Sequence, residues 1–326
     1  MTAQKLTSCI TPDSLRSESI SSIAICAHDA GAATLISGWL YPLRKKLKIC
    51  AEGPALKIFR DDYGELNVMD LESAIDGATV LISGTGWQSD LEHISRKLAY
   101  GKGIPSVGVL DHWVNYLPRF ERRAEVVLPD QLWVGDNEAK LIAKKIFPDI
   151  PIQIINGGWI EELKRQVAEL RPKRAEVPAK KLLYLLEPIR EEWRNPDSYC
   201  ALQRSQGNDA IPFQYFQESL SILKAKQIIS SENDLEVQVR LHPSQGIECF
   251  SKLESIWTER TPLKHDCSRD LAHSLAWSDA AFGCETQALI AALSCQVPAF
   301  STLPPWAPKC RLPHQDLVKI RDLKCT

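Results

Sequence analysis

The chain has 326 residues, 44% hydrophobic and 25% charged, with a formal net charge of -2; this suits two packed domains better than one core and excludes a disordered chain. The near-neutral charge argues against a general nucleic-acid binder. No run approaches the roughly 18 apolar residues of a membrane span, and the ten scattered cysteines, without a Cys-x-x-Cys pair, read as reduced thiols of a cytoplasmic protein with no metal site.

Residues 1–20 are Thr/Ser-rich with mixed charge and no apolar signal core, and read as a flexible N-terminus. Ile23–Ala27 is then a predicted strand, Ala32–Leu40 its helix, and Leu47–Ala51 a second strand ending at Gly53-Pro54. "ATVLISGTGW" (78–87) is a buried strand running into a Gly-Thr-Gly turn. The helix that follows opens with Ser89 as N-cap and Glu92 completing a capping box. "IPSVGVLDHW" (104–113) and "QLWVGD" (131–136) are further strands, followed by the helix "NEAKLIAKKIF" and the strand "IQIINGGW". Short apolar runs alternating with amphipathic stretches predict helices around a parallel sheet, here an N-terminal domain over residues 21–165.

Residues 166–180, charged and carrying Pro172 and Pro178, read as a linker. The alternation restarts over 181–326 with "KLLYLLEPI", "LEVQVRLHP", "LAWSDAAFG", a small-residue helix "CETQALIAALSC" and "VPAFS". Residues 191–212, polar and rich in Asn, Gln, Ser and Pro, read as an insertion or long loop. The predicted fold class is therefore α/β, with two doubly wound Rossmann-like domains facing a cleft.

Ligands of such sheets collect at the carboxyl ends of the strands, which sorts the polar residues. His28, Asp29 and Gly31 follow the first strand, Gly84 and Gly86 a middle one, and Asp111 and His112 the next. In the second half, Arg240 and His242 follow one strand and Gly283, Glu285 and Thr286 another. Trp113, Tyr116, Asn115 and Arg119 could form a sugar platform, with an aromatic ring against an apolar sugar face. Trp87 and Trp159 are further candidates for such a surface.

The paired halves, with "RLHPS" (240–244) and "SDAAFGCETQALIAALSCQVP" (278–298), resemble the GT-B fold of nucleotide-sugar enzymes. "RLHPS" is similar to the His-Pro motif of bacterial capsule, teichoic-acid and sialyl-type transferases, and the second stretch to the donor-holding turn of those enzymes and of the UDP-sugar 2-epimerases. The resemblance implies a nucleotide sugar as donor substrate, with His242 on its phosphate. It also implies an acceptor glycan or small molecule as partner, a role compatible with peripheral membrane contact. Two departures stand: Glu285-Thr286 replaces the usual double Ser or Thr, and the first turn has Gly31 without Gly-x-Gly.

Chemistry assigns the roles. Charge building on a departing phosphate needs donors, and Arg240 and His242, two apart on one strand, would face the same side. Glu285 suits ribose hydroxyls, and the helix beginning near Thr286 adds backbone N–H groups. His28 or Asp29, with Asp111 and His112 as second choices, would be the general base. No paired-aspartate metal motif stands at a strand end, so no cofactor is expected. The reading is a metal-independent glycosyltransferase; a nucleotide-sugar 2-epimerase or hydrolase, and a non-catalytic nucleotide binder, are the alternatives.

Overall fold

The computed structural model describes residues 9–64, 68–86, 88–155, 158–171, 177–188, 210–231, 235–243 and 245–323. They divide into two compact units, Met1–Glu161 and Glu162–Thr326.

In the N-terminal unit, β1 (Ile23–Ala27), β2 (Leu47–Ala51), β3 (Val80–Ser83) and β4 (Ser106–Leu110) are joined, after a small hairpin β5–β6 (Glu121–Arg122, Glu125–Val126), by β7 (Gln131–Val134) and β8 (Ile152–Ile154). The six-stranded sheet runs β2-β1-β3-β4-β7-β8 with every pairing parallel. Strands covered on both faces must be apolar throughout, and β1 shows how. Ile23, Ile25 and Ala27 join one core cluster with Ile36 and Leu40 of α1 (Ala30–Leu40); Ala24 and Cys26 join another, with Ala74 of α3 (Leu71–Ile75) and Ala99 of α4 (Leu91–Lys102). Between them the chain forms α2 (Gly53–Tyr63), and α5 (Asn137–Ile146) and α6 (Trp159–Leu170) follow later. Gly53-Pro54, expected to end a strand, instead opens α2, because proline lacks the N–H that a first helical turn leaves unused.

The start of the described chain is tied to the first sheet at Ile10. Gln131 takes both sides of the Ile10 peptide group: its Oε1 accepts from the Ile10 N–H at 2.8 Å, and its Nε2 donates to the Ile10 carbonyl at 2.6 Å. The Trp133 indole N–H donates to that carbonyl too, at 2.9 Å. Ile10 and Leu15 are buried; their side chains find core, which outweighs the polar sequence around them.

The C-terminal unit repeats the plan with β9 (Lys181–Leu185), β10 (Glu236–Arg240), β11 (Leu263–His265), β12 (Ala280–Gly283), β13 (Ala299–Ser301) and β14 (Val318–Lys319), in the order β11-β10-β9-β12-β13-β14, again parallel. Its helices include α7 (Ala210–Ala225), α8 (Ile247–Ile256), α9 (Leu271–Trp277) and α10 (Gln287–Ser294). Tyr184, Phe213, Phe216, Phe282 and Phe300 pack an aromatic core with ring centroids 4.8 to 5.9 Å apart. Of the expected insertion, residues 191–209 lie outside the described residues, and 210–212 begin α7. Of the expected linker, the first part is helical: α6 runs to Leu170.

In both sheets the strand order reverses beside the first strand of the unit, between β1 and β3 and between β9 and β12. Loops leaving the carboxyl ends of those neighbours part to opposite faces, which opens a crevice there.

Candidate functional site

Four loops meet at the carboxyl end of the first sheet. His28 and Asp29 follow β1, with imidazole Nδ1 and Asp29 Oδ1 at 2.8 Å, side chains 17% and 26% exposed. Asp111 follows β4 and accepts from Arg119 Nη1 at 2.7 Å; the same guanidinium group reaches Thr85 Oγ1 at 3.3 Å. Asp29 occupies the N-cap position of α1 in extended backbone but makes no capping hydrogen bond. Its carboxylate is turned to the imidazole instead, so it is more than a cap.

Three glycines make this packing possible. A Cβ on Gly53 would lie 2.6 Å from His28 Nε2, one on Gly86 2.2 Å from Asp29 Oδ2, and one on Gly31 2.0 Å from Asp111 Oδ2. Each of the three titratable groups therefore sits where a side chain on a neighbouring loop would be. Gly86 also offers its carbonyl to Arg122 Nη2 at 2.5 Å. Gly84 serves differently: a Cβ there would lie 3.0 Å from Glu92 Oε1.

Glu92 is where sequence reasoning fails. The capping box does not form: Asp90 occupies the N-cap of α4, and Ser89 Oγ accepts from the Leu91 N–H at 3.1 Å. Glu92 is fully buried, and its Oε1 accepts from the His28 N–H at 2.8 Å. Burial raises its carboxyl above the usual range, against the hydrogen bond from His28. A charged residue in a helix's first turn ordinarily faces solvent, and the signal that this one does not is only the small residues opposite it.

The aromatic stretch is also rearranged. Trp113 is 7% and Tyr116 1% exposed, and the Trp113 indole N–H donates to both oxygens of Asp136, at 3.0 and 2.9 Å. Neither ring offers an open face for a sugar to lie on. Asn115 takes a left-handed backbone, φ 58°, and helps fold the loop over; His112 Nδ1 accepts from the Trp113 N–H at 2.9 Å. Trp87 lies outside the described residues.

In the C-terminal unit, β10 ends at Arg240, so strand alternation does not carry through to His242. A turn shapes His242 instead: the Gln245 N–H donates to its carbonyl at 2.8 Å, and its own N–H donates to Gln245 Oε1 at 3.2 Å. Burial lowers the imidazole below its ordinary value, disfavouring its charged form. Arg240 Nη1 donates to Asp266 Oδ2 at 3.1 Å and to Ser274 Oγ at 2.8 Å. Burial would raise the Asp266 carboxyl, but hydrogen bonds from Ser268, Ser274 and Arg240 overcome it and hold the group below the ordinary aspartate value.

Gly283 closes β12 tightly against β9, where a Cβ would meet the Leu185 carbonyl at 2.9 Å. Thr286 caps α10, its Oγ1 accepting from the Ala288 N–H at 3.3 Å. Glu285, 7% exposed, is engaged by a residue the sequence did not single out. Arg311 donates to Glu285 Oε1 from Nε at 3.1 Å and from Nη2 at 2.8 Å, and its backbone N–H reaches Oε2 at 3.1 Å. The Glu285 N–H in turn donates to Glu187 Oε1 at 2.5 Å. The sequence holds no local sign of this pair, since Arg311 stands 26 residues beyond its partner in an irregular Pro-rich segment.

Among the described residues no helix is long and apolar enough to cross a membrane. No protein-family model matches the sequence, and no curated protein matches it significantly. Solved structures do resemble it. MnaA of S. aureus, determined with UDP, matches with a TM-score of 0.50 and 9% identity, over 82% of this chain and 75% of that one. A candidate UDP-N-acetylglucosamine 2-epimerase from Listeria monocytogenes matches with a TM-score of 0.54 and 14% identity, over 87% of this chain and 80% of that one. At such identities the likeness speaks to architecture, and the architecture is the GT-B type, built of two Rossmann-like units.

Proposed function

We propose that this chain is an enzyme acting on a nucleotide-activated sugar, with proton transfer assigned to the N-terminal unit and nucleotide binding to the C-terminal one. The observation that carries it is the set of three glycines cut away around His28, Asp29 and Asp111. Nothing in the packing of a sheet requires an imidazole and two carboxylates at one strand-order reversal; acid–base chemistry does. Fold likeness to a UDP-bound protein and to a candidate UDP-sugar epimerase raises the same reading by analogy.

As a glycosyl transferase, the enzyme would use Asp29-oriented His28 to take the proton from an acceptor hydroxyl. The imidazole Nδ1 is committed to Asp29, which leaves Nε2 for that proton. Negative charge on the departing nucleotide would meet Arg240 and the His242 imidazole, with the α10 N-terminus following another strand of the same sheet. Glu285 would take ribose hydroxyls, held in place by Arg311. Arg240 is the cation that stands in for a divalent ion in this mechanism.

A second reading, 2-epimerisation or hydrolysis, is favoured by one specific finding: Trp113 and Tyr116 are buried, so the stretch expected to seat an acceptor presents no aromatic face. A base on one side of a sugar carbon and an acid on the other would suit His28–Asp29 and Asp111. Incubation with UDP-N-acetylglucosamine in D2O separates the cases. Deuterium entering C2 identifies epimerisation; UDP release only with an added acceptor identifies transfer; release with water alone identifies hydrolysis. If no nucleotide sugar is turned over and UDP gives no thermal shift with or without Mg²⁺, the proposal fails, since a ligand at 100 times its Kd adds about 2.7 kcal/mol.

A further inference from the structure

We propose that Glu92 is a positioning residue that fixes the His28–Asp29 turn; the inference rests on reading that turn as the acid–base site. Beyond the end of β1 the His28 peptide is held from two sides. The Ala55 N–H of α2 donates to its carbonyl at 3.0 Å, and Glu92 Oε1 accepts its N–H at 2.8 Å. The first bond is backbone to backbone and belongs to the fold. The second is the contribution of one side chain.

Among the described residues that side chain makes no other directed hydrogen bond. Glu92 Oε2 is buried without a hydrogen-bond partner among the described residues. Arg96, one helical turn on, attracts that carboxyl electrostatically, but its directed bonds go elsewhere: Nη1 to Ser83 Oγ at 3.1 Å and the Gly84 carbonyl at 3.0 Å, and Nε to the Val127 carbonyl at 3.2 Å. The one directed bond of a fully buried carboxyl therefore goes to the backbone of His28. Gly84, at the end of β3, leaves the passage through which the carboxyl reaches β1. With the His28 amide fixed, the imidazole lies against Gly53 and its Nδ1 meets Asp29; with it loose, that ring has no second anchor of its own.

The test reads the imidazole directly rather than through turnover. In protein labelled with ¹⁵N-histidine, His28→Asn assigns the His28 ring signals and Asp29→Asn defines the Nδ1 signal of the unpaired ring. Glu92→Ala is expected to move Nδ1 at least half of the way to the unpaired position, while Glu92→Gln, which keeps an acceptor oxygen, stays at the wild-type one. An unmoved Nδ1 in Glu92→Ala overturns the inference, as does a Gln variant that moves as far as the Ala variant. Should Glu92→Ala not fold, Glu92→Asp, one methylene short, replaces it with the same expectation and the same overturning result. Turnover of His28→Asn separately tests the acid–base reading: full activity there refutes that reading while the Nδ1 positions still decide the role of Glu92.

Discussion

The two units are both built on a six-stranded parallel sheet that reverses beside its first strand, but they set their charged groups differently. In the N-terminal unit the deepest carboxyl, Glu92, is raised by burial, and the outer groups His28, Asp29 and Asp111 lie in spaces left by glycines. In the C-terminal unit the site guanidinium groups are locked to carboxylates, Arg240 to Asp266 and Arg311 to Glu285, and Asp266 is held low by its hydrogen bonds. One half sets an imidazole beside a carboxylate, and the other pairs each site guanidinium with a carboxylate. Acid–base chemistry needs the first property, and holding an anion of fixed geometry needs the second.

The comparison breaks most visibly if the groups are not used as described. Replacing Asp29, which orients the His28 base, by Asn should lower turnover by roughly 10²–10⁴-fold, the usual share of the acid–base step it serves, while the melting temperature changes little. Steady-state kinetics beside a thermal melt checks this; activity within a few-fold of wild type would remove the dyad from the mechanism.

Next in size is the locked half. Arg240→Ala strands a side chain of Asp266 that is 0% exposed, and removing one partner of a buried pair costs about 3 kcal/mol. Urea denaturation should show it. Arg119→Ala, whose partner Asp111 is 16% exposed, should cost less because water reaches the orphaned carboxylate. Equal losses would erase the contrast between the units.

Gly86→Ala places a methyl group where Asp29 Oδ2 now lies. Because that oxygen ends a movable side chain, stability should fall by only about 1 kcal/mol, whereas turnover should fall with it as the dyad is pushed apart. A variant of normal activity would show that the close approach is incidental.

The subtlest difference lies in pH. Glu92 is raised in the folded state, so its contribution is complete below the unfolded glutamate value, about 4.3, and fades as pH rises through the folded value. Asp266 is lowered, so its contribution is present above the unfolded aspartate value, about 3.9, and fades as pH falls through the folded one. Glu92→Gln should therefore flatten the stability–pH curve on its rising side and Asp266→Asn on its acid side. Urea midpoints between pH 3 and 8, or about that range, would show whether the two slopes carry opposite signs.

How far the sequence foretold this depends on the range of the interaction. Strands such as Ile23–Ala27 were legible to the residue, because burial on both faces leaves nothing but an apolar run; Leu47–Ala51 was legible too, though half-buried Lys48 interrupts its apolar residues. His28, Asp29 and Asp111 were legible as strand-end residues, since topology sends such positions to the crevice. Glu92 was misread because a capping box and an inward carboxyl look identical along the chain. Arg311 was invisible, its partner lying in another segment, and Trp113 was taken for a surface because an aromatic side chain does not announce which way its loop folds.

One contact near the start of the described chain has a practical consequence. A single side-chain amide embraces both edges of the Ile10 peptide group, as a neighbouring strand would, and an indole seals the same carbonyl. Trimming that keeps Cys9 preserves the Cys9–Ile10 amide N–H that Gln131 accepts. A protease cut or a fusion boundary placed beyond Ile10 strips Gln131 and Trp133 of their partners deep in the unit, so the tenth residue marks how far the chain can be shortened before folding is harmed.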